Sequence, residues 1–121
     1  MGAHLSKNAV AFQVIAALES YEANLKKLAA TWLDMDLYSQ VSHHLDVVRL
    51  HAAGLPSIAV AWVEVLISHT ELIHDLWRST HAQPKAAASN AQLLDRHLAA
   101  IASLRGKCVR ELHLEPRRPV H

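Results

Sequence analysis

The chain has one cysteine, three glycines and four prolines in 121 residues. A lone Cys108 excludes an intramolecular disulfide and fits a reducing compartment. So few Gly and Pro exclude a low-complexity chain and leave few of the turn signals that a many-stranded fold needs. Aromatic residues are 5% of the total, and Ala and Leu dominate, which favours helix over strand. Neither sign of charge prevails: the net charge is +1 with histidine neutral. No electrostatic footprint for nucleic acid is present. The longest uncharged apolar run, Ile58–Val63, falls far short of the ~20 residues that cross a bilayer. Met1–Ser6 has no basic region ahead of an apolar run, so no secretion signal is expected. These absences together describe a soluble, cytoplasmic protein with no transmembrane segment.

What is present is an apolar helical chain. Hydrophobic residues make up 51% of it, enough for one core. A single domain is expected over residues 1–114, followed by a loose tail, 115–121, that contains Pro116 and Pro119. The first helical segment starts after Ser6, an acceptable N-cap. Its positions Ala11, Val14, Leu18, Tyr21, Leu25, Leu28 and Trp32 alternate spacings of three and four, a heptad-like seam. Asp34 or Asp36 can cap a second helix within Thr31–Asp36; one continuous helix from Lys7 to Ala53 is the alternative. The second segment turns Tyr38, Val41, Leu45, Val48 and Ala52 inward. Gly54 suits its C′ position, and Pro56 suits the first turn of the next helix.

The third segment, from about Pro56 to Thr80, is unusually greasy. Thirteen of the twenty residues in Ile58–Trp77 are hydrophobic, whereas a helix with one buried face is apolar at about three positions in seven. Ser57, Ala61, Glu64, Ser68, Glu71, Asp75 and Arg78 form one narrow polar stripe. A fourth segment begins near Lys85 or after Asn90, with Leu94, Leu98, Ile101 and Leu104 inward and a kink or end at Gly106. The expected fold is all-α, an antiparallel four-helix bundle.

Catalytic chemistry finds little purchase. Glu71-Leu-Ile-His74 has the Glu-x-x-His spacing of di-iron bundles, but there is no second copy and no supporting set of glutamates. No His-x-x-x-His pair occurs, which removes the usual helical zinc signature. His43-His44-Leu45-Asp46-Val47 resembles the reactive segment of histidine phosphotransfer domains at one histidine and Leu45. It departs from them at Asp46, which would repel a phosphoryl donor, and at Val47, where space beside the imidazole is wanted. Glu64 lies on the polar stripe, facing water or pairing with an arginine, more readily than in a pocket. Cys108 reads as a small core residue, and the ten histidines as scattered surface and boundary groups. No catalytic residue, metal ligand or cofactor site is expected.

The block Leu55–Trp62 through His74-Asp-Leu-Trp77 resembles segments of short uncharacterised helical-bundle proteins of Burkholderia-type bacteria. The resemblance covers about the middle third of the chain, carries no active-site motif and implies no activity. From the residues, the expected function is non-enzymatic: a helical bundle that self-associates or binds a protein partner through its third helix. Ile58, Trp62, Val65, Leu66 and Ile67 are the candidate interface, since aromatic and branched apolar anchors dominate interface energetics. One alternative is a binder of an apolar ligand or of a granule or lipid surface. Another is a phosphotransfer-like signalling domain using His43 or His44.

Overall fold

The computed structural model describes residues 6–79 and 84–114, excepting the side chains of 84–89 and 113–114. The expectations for the tail and for Met1–Leu5 lie outside the described residues. The protein is all-α. Helix α1 spans Lys7–Ala30, α2 Met35–Ala52, α3 Ala59–Ser79 and α4 Pro84–Leu114, with a short 3-10 turn at Pro56–Ile58 ahead of α3. No strand occurs among the described residues.

Capping explains why α1 and α2 are two helices. The Ser6 hydroxyl accepts from the Ala9 N–H at 3.1 Å and opens α1. Thr31 closes it, its N–H donating to the Lys27 carbonyl at 2.9 Å. Three residues later the Asp34 carboxylate accepts from the Leu37 N–H at 3.1 Å and starts α2. A carboxylate there satisfies a donor that a helix start leaves orphaned, and its charge suits the positive end of the dipole. The exit from α2 is tighter than the sequence suggests. Among the described residues no glycine has a positive φ, so Gly54 is not a left-handed cap. Its N–H donates to the His51 carbonyl at 3.0 Å, and Leu55 N–H to Ala52 at 3.0 Å, leading into the turn at Pro56.

The seam expected on α1 is buried from Ala11 to Leu28, and Val41, Leu45, Val48 and Ala52 of α2 are buried with it. α1 packs along α2 and α4, and α3 packs along α4, whereas α2 and α3 touch over few residues. At one end three rings bridge that gap: Trp32 lies 5.2 Å from Trp77 and 6.3 Å from Tyr38, and Tyr38 lies 6.0 Å from Trp77. All three contacts are edge-on, the arrangement the ring quadrupole favours.

α4 differs from expectation at Gly106. The helix runs unbroken through it, because Leu104 and Cys108 on either side are anchored in the core. A Cβ on Gly106 would meet nothing within 4 Å.

α3 carries the main correction. Its buried seam is Ile58, Ala61, Val65, Ser68, Leu72 and Asp75, again alternating three and four. Three members of the supposed polar stripe, Ala61, Ser68 and Asp75, therefore point inward. Ile58 and Val65, expected at an interface, are 1% and 0% exposed and belong to the core, since they lie on this seam with Leu72.

Two substitutions test this reading. Asp34→Ala should cost about 1 kcal/mol in denaturant unfolding, the usual loss for an N-cap. Gly106→Ala should add roughly 0.5–1 kcal/mol, because an interior glycine costs a helix that much and the new methyl group meets no obstacle.

Candidate functional site

Two features of α3 set it apart from an ordinary bundle helix. One lies on its outer side. Val60, Val63, Ile67, Thr70, His74 and Trp77 form a second seam of three-and-four spacing, displaced by two residues from the buried one, and all six are exposed. Two residues are about 200° of helical rotation, so the two seams lie on opposite faces. Val60, Val63 and Ile67 are 74%, 48% and 54% exposed. Of the five candidate contact residues, Ile67 is on this face, Trp62 and Leu66 are half-buried along its edge, and Ile58 and Val65 are elsewhere, in the core.

Beside this face an open groove of about 430 Å3 runs between α3 and α4. Glu64, Ile67 and Glu71 line it from α3, and Arg96, Ala99, Ala100 and Ser103 from α4. Arg96 Nη1 stands 3.9 Å from Glu71 Oε1, both side chains largely exposed, so the pair is worth little. Glu64 is exposed and lines the rim. His74, the other half of the Glu-x-x-His spacing, is exposed on the outer seam. Among the described residues no three His, Cys, Asp or Glu side chains converge as a metal would require.

The second feature is a hydrogen-bonded polar chain through the core. Tyr21 of α1 is fully buried, and its hydroxyl lies 2.6 Å from His69 Nδ1 and 2.5 Å from His97 Nε2. His97 of α4, 0% exposed, reaches Ser68 Oγ with Nδ1 at 2.6 Å. The Ser68 hydroxyl donates to the Val65 carbonyl at 3.2 Å. The heavy atoms alone do not record the tautomers, and the run read in reverse also satisfies all four groups; keeping the Ser68–Val65 bond as well selects the direction that follows. Ser68 spends its proton on Val65, so its oxygen accepts from His97 Nδ1–H. His97 Nε2 is then bare and accepts from the Tyr21 hydroxyl. The Tyr21 oxygen accepts in turn from His69 Nδ1–H, and His69 Nε2 is left as the terminal acceptor. Both imidazoles are neutral and every donor in the run is used.

Electrostatics agree with neutrality. Burial, and then the Arg49 charge, push His69 down to about 4. Burial, and then His69, push His97 down to about 3, against the opposing pull of Glu22. Burial pushes the Tyr21 hydroxyl well above its ordinary value. Burial would raise the Glu22 carboxyl, but hydrogen bonds from Arg105 and Lys26 outweigh it and hold the group below its usual value. Lys26 Nζ is 3.1 Å from Glu22 Oε2, and Arg105 bonds the other oxygen.

Other sequence candidates lie apart from this chain. His43 is exposed and His44 half-buried, their rings 5.8 Å apart. Asp46 pairs with Arg49 at 2.9 Å. His44 and His51 line a shallow hollow with Gln13 and Ser20, between α1 and α2. Cys108 is buried, and burial, helped by Glu111, pushes its thiol up to about 11, which makes it unreactive. Asp75 is buried, and its Oδ2 has no hydrogen-bond partner.

Hydrophobic periodicity alone misses the polar chain. The signal that marks it is spacing: Leu94, His97, Ile101, Leu104 and Cys108 continue the three-and-four rhythm of α4, so His97 occupies an inward position.

Two measurements probe the chain. Tyr21→Phe should lower unfolding free energy by about 1–3 kcal/mol, since His97 Nε2 is left buried without its donor. For pH, both histidines have folded values below the ~6.5 of the unfolded chain. Below about pH 6.5 the unfolded state takes up protons that the folded state refuses, so stability falls as pH drops from 6.5 towards 4. Near pH 5 the slope is that of nearly two protons taken up on unfolding. Chemical denaturation at pH 7, 6 and 5 should show stability decreasing towards acid. No family model, no curated protein and no solved structure matches this chain.

Proposed function

We propose that the chain is a non-enzymatic antiparallel four-helix bundle that acts by association, pairing with a second copy of itself through the outer seam of α3. Val60, Val63 and Ile67, exposed on one three-and-four row, carry this reading. A helix that needs only one buried face has no use for a second apolar row, and contiguous exposed apolar rows mark interaction surfaces. A seam with this repeat suits another helix bearing the same repeat, side chains meshing as in a coiled coil. Trp62 and Leu66 widen the contact, and Trp77 extends it towards the aromatic cluster. The antiparallel arrangement is supported by the ends of α2 and α3, which the short turn at Pro56–Ile58 joins. Trp77 at the end of α3 then meets Tyr38 at the start of α2.

One further observation favours a lipid surface or an apolar ligand as the occupant instead. Pro56–Ser79 is the one helical stretch among the described residues that is long and apolar enough, by length and composition, to cross a membrane. Its buried inner seam is equally what the core helix of a soluble protein requires.

Sedimentation or light scattering across a concentration series separates the readings. The wild-type chain should be dimeric, and Val63→Glu or Ile67→Lys should yield a folded monomer, because both side chains are already about half exposed. A monomer at every concentration would refute self-association, and binding of that monomer to lipid vesicles would favour the lipid reading. Val65→Lys is no substitute, since it should unfold the core.

A further inference from the structure

Four side chains on three helices form the chain Ser68–His97–Tyr21–His69, and its capacity for protons can be counted. With both imidazoles neutral, each link has one donor and one acceptor. Let one proton arrive from solvent at His69 Nε2. His69, the less buried of the two rings, then donates from both nitrogens, Nδ1 to the Tyr21 oxygen and Nε2 outward. Tyr21 still donates to His97 Nε2, and His97 Nδ1 to Ser68. Every group remains satisfied. A second proton has no such place. Both imidazoles would aim N–H groups at the Tyr21 oxygen, and the phenol hydrogen would have no acceptor. Two cations would also face each other with ring centres 5.8 Å apart.

We infer that this chain is an acid-operated latch on α3, absorbing one proton with the helices in place and releasing α3 from α1 and α4 when a second arrives. It stands apart from the association reading, since no member of the chain lies on the outer seam.

The charges around it suit that role on each side. From α2, Arg49 acts on His69 and opposes its protonation. From α1, Glu22 favours a charged His97, but its carboxylate is engaged by Lys26 of α1 and by Arg105 of α4. Between α3 and α4, His69 opposes the charging of His97. Among the described residues, no carboxylate bonds either imidazole and could hold the second proton there. The release is localised by geometry: Ser68 and His69 are the two α3 members, and both of their links to other helices run through an imidazole.

The full-length chain tests this by amide hydrogen exchange across α3, α1 and α2, and by proton uptake during acid titration from pH 7 to 3.5. The expected result is that α3 amides lose protection before those of α1 and α2. His69→Gln, at the half-buried outer end, keeps a hydrogen-bonding side chain that cannot titrate. It should move the opening of α3 to lower pH and reduce proton uptake on opening by about one. His97→Gln should do the same if it folds; if it does not, His69→Gln decides alone. Opening of His69→Gln at the wild-type pH with unchanged proton uptake would overturn the latch. So would wild-type α3 amides as protected at pH 3.5 as at pH 7.

Discussion

The short hydrogen bond between the Tyr21 hydroxyl and His97 Nε2, 2.5 Å long, is the constraint on which the rest of this molecule turns. Both groups are fully buried, and neither could be left there alone, because an unpaired polar group in a core costs more than a made bond returns. Together they demand that α1 and α4 meet in one register. Ser68 and His69 extend that demand to α3. Apolar side chains alone leave a bundle free to slide by a turn; a polar layer with complementary donors and acceptors admits one alignment. The chain thus buries three polar side chains, half-buries a fourth, and gains a defined order for three helices.

α3 is where the two halves of this account meet. Its inner row supplies apolar contacts, with Ser68 in the middle and Asp75 below. Its outer row carries Val60, Val63 and Ile67 into solvent. Most of the excess hydrophobicity of this helix therefore sits outside the core. The neighbours of α3 cover one row, α4 most extensively, and the sparse contact with α2 leaves the helix tied down chiefly by α4, by the polar chain and by the rings of Trp32, Tyr38 and Trp77. A helix held by a few specific links and greasy on its free side suits association.

Much of the fold is legible in the residues. The α1 seam is read without error from Ala11 to Leu28, because nearly every member is apolar. The residues offer Asp34 or Asp36 as the cap that breaks α1 from α2, with one continuous helix as the alternative, and the structure uses Asp34. α3 misleads because its apolar residues fit two rows, and composition does not say which row faces the core. Ile58 and Val65 thereby read as outward-facing, although they share a row with Leu72. The same ambiguity drew Ser68 and Asp75 into a solvent stripe. His97 is hidden in the sequence because the apolar side chains of α4 alone trace an inward face by way of Leu98. In each case a buried polar group satisfied by distant partners defeats a reading built on hydrophobic periodicity, since its partners lie on other helices: Tyr21 is 48 and 76 residues from His69 and His97.

The most direct test is nitrogen NMR of the imidazole rings in the folded chain at neutral pH. His97 should be neutral, with its proton on Nδ1 and a bare, hydrogen-bonded Nε2, and His69 should carry its proton on Nδ1. A His97 ring that titrates near the ordinary histidine value, or that exchanges its tautomers as a solvated imidazole does, would contradict the buried chain and with it the order it imposes on the helices.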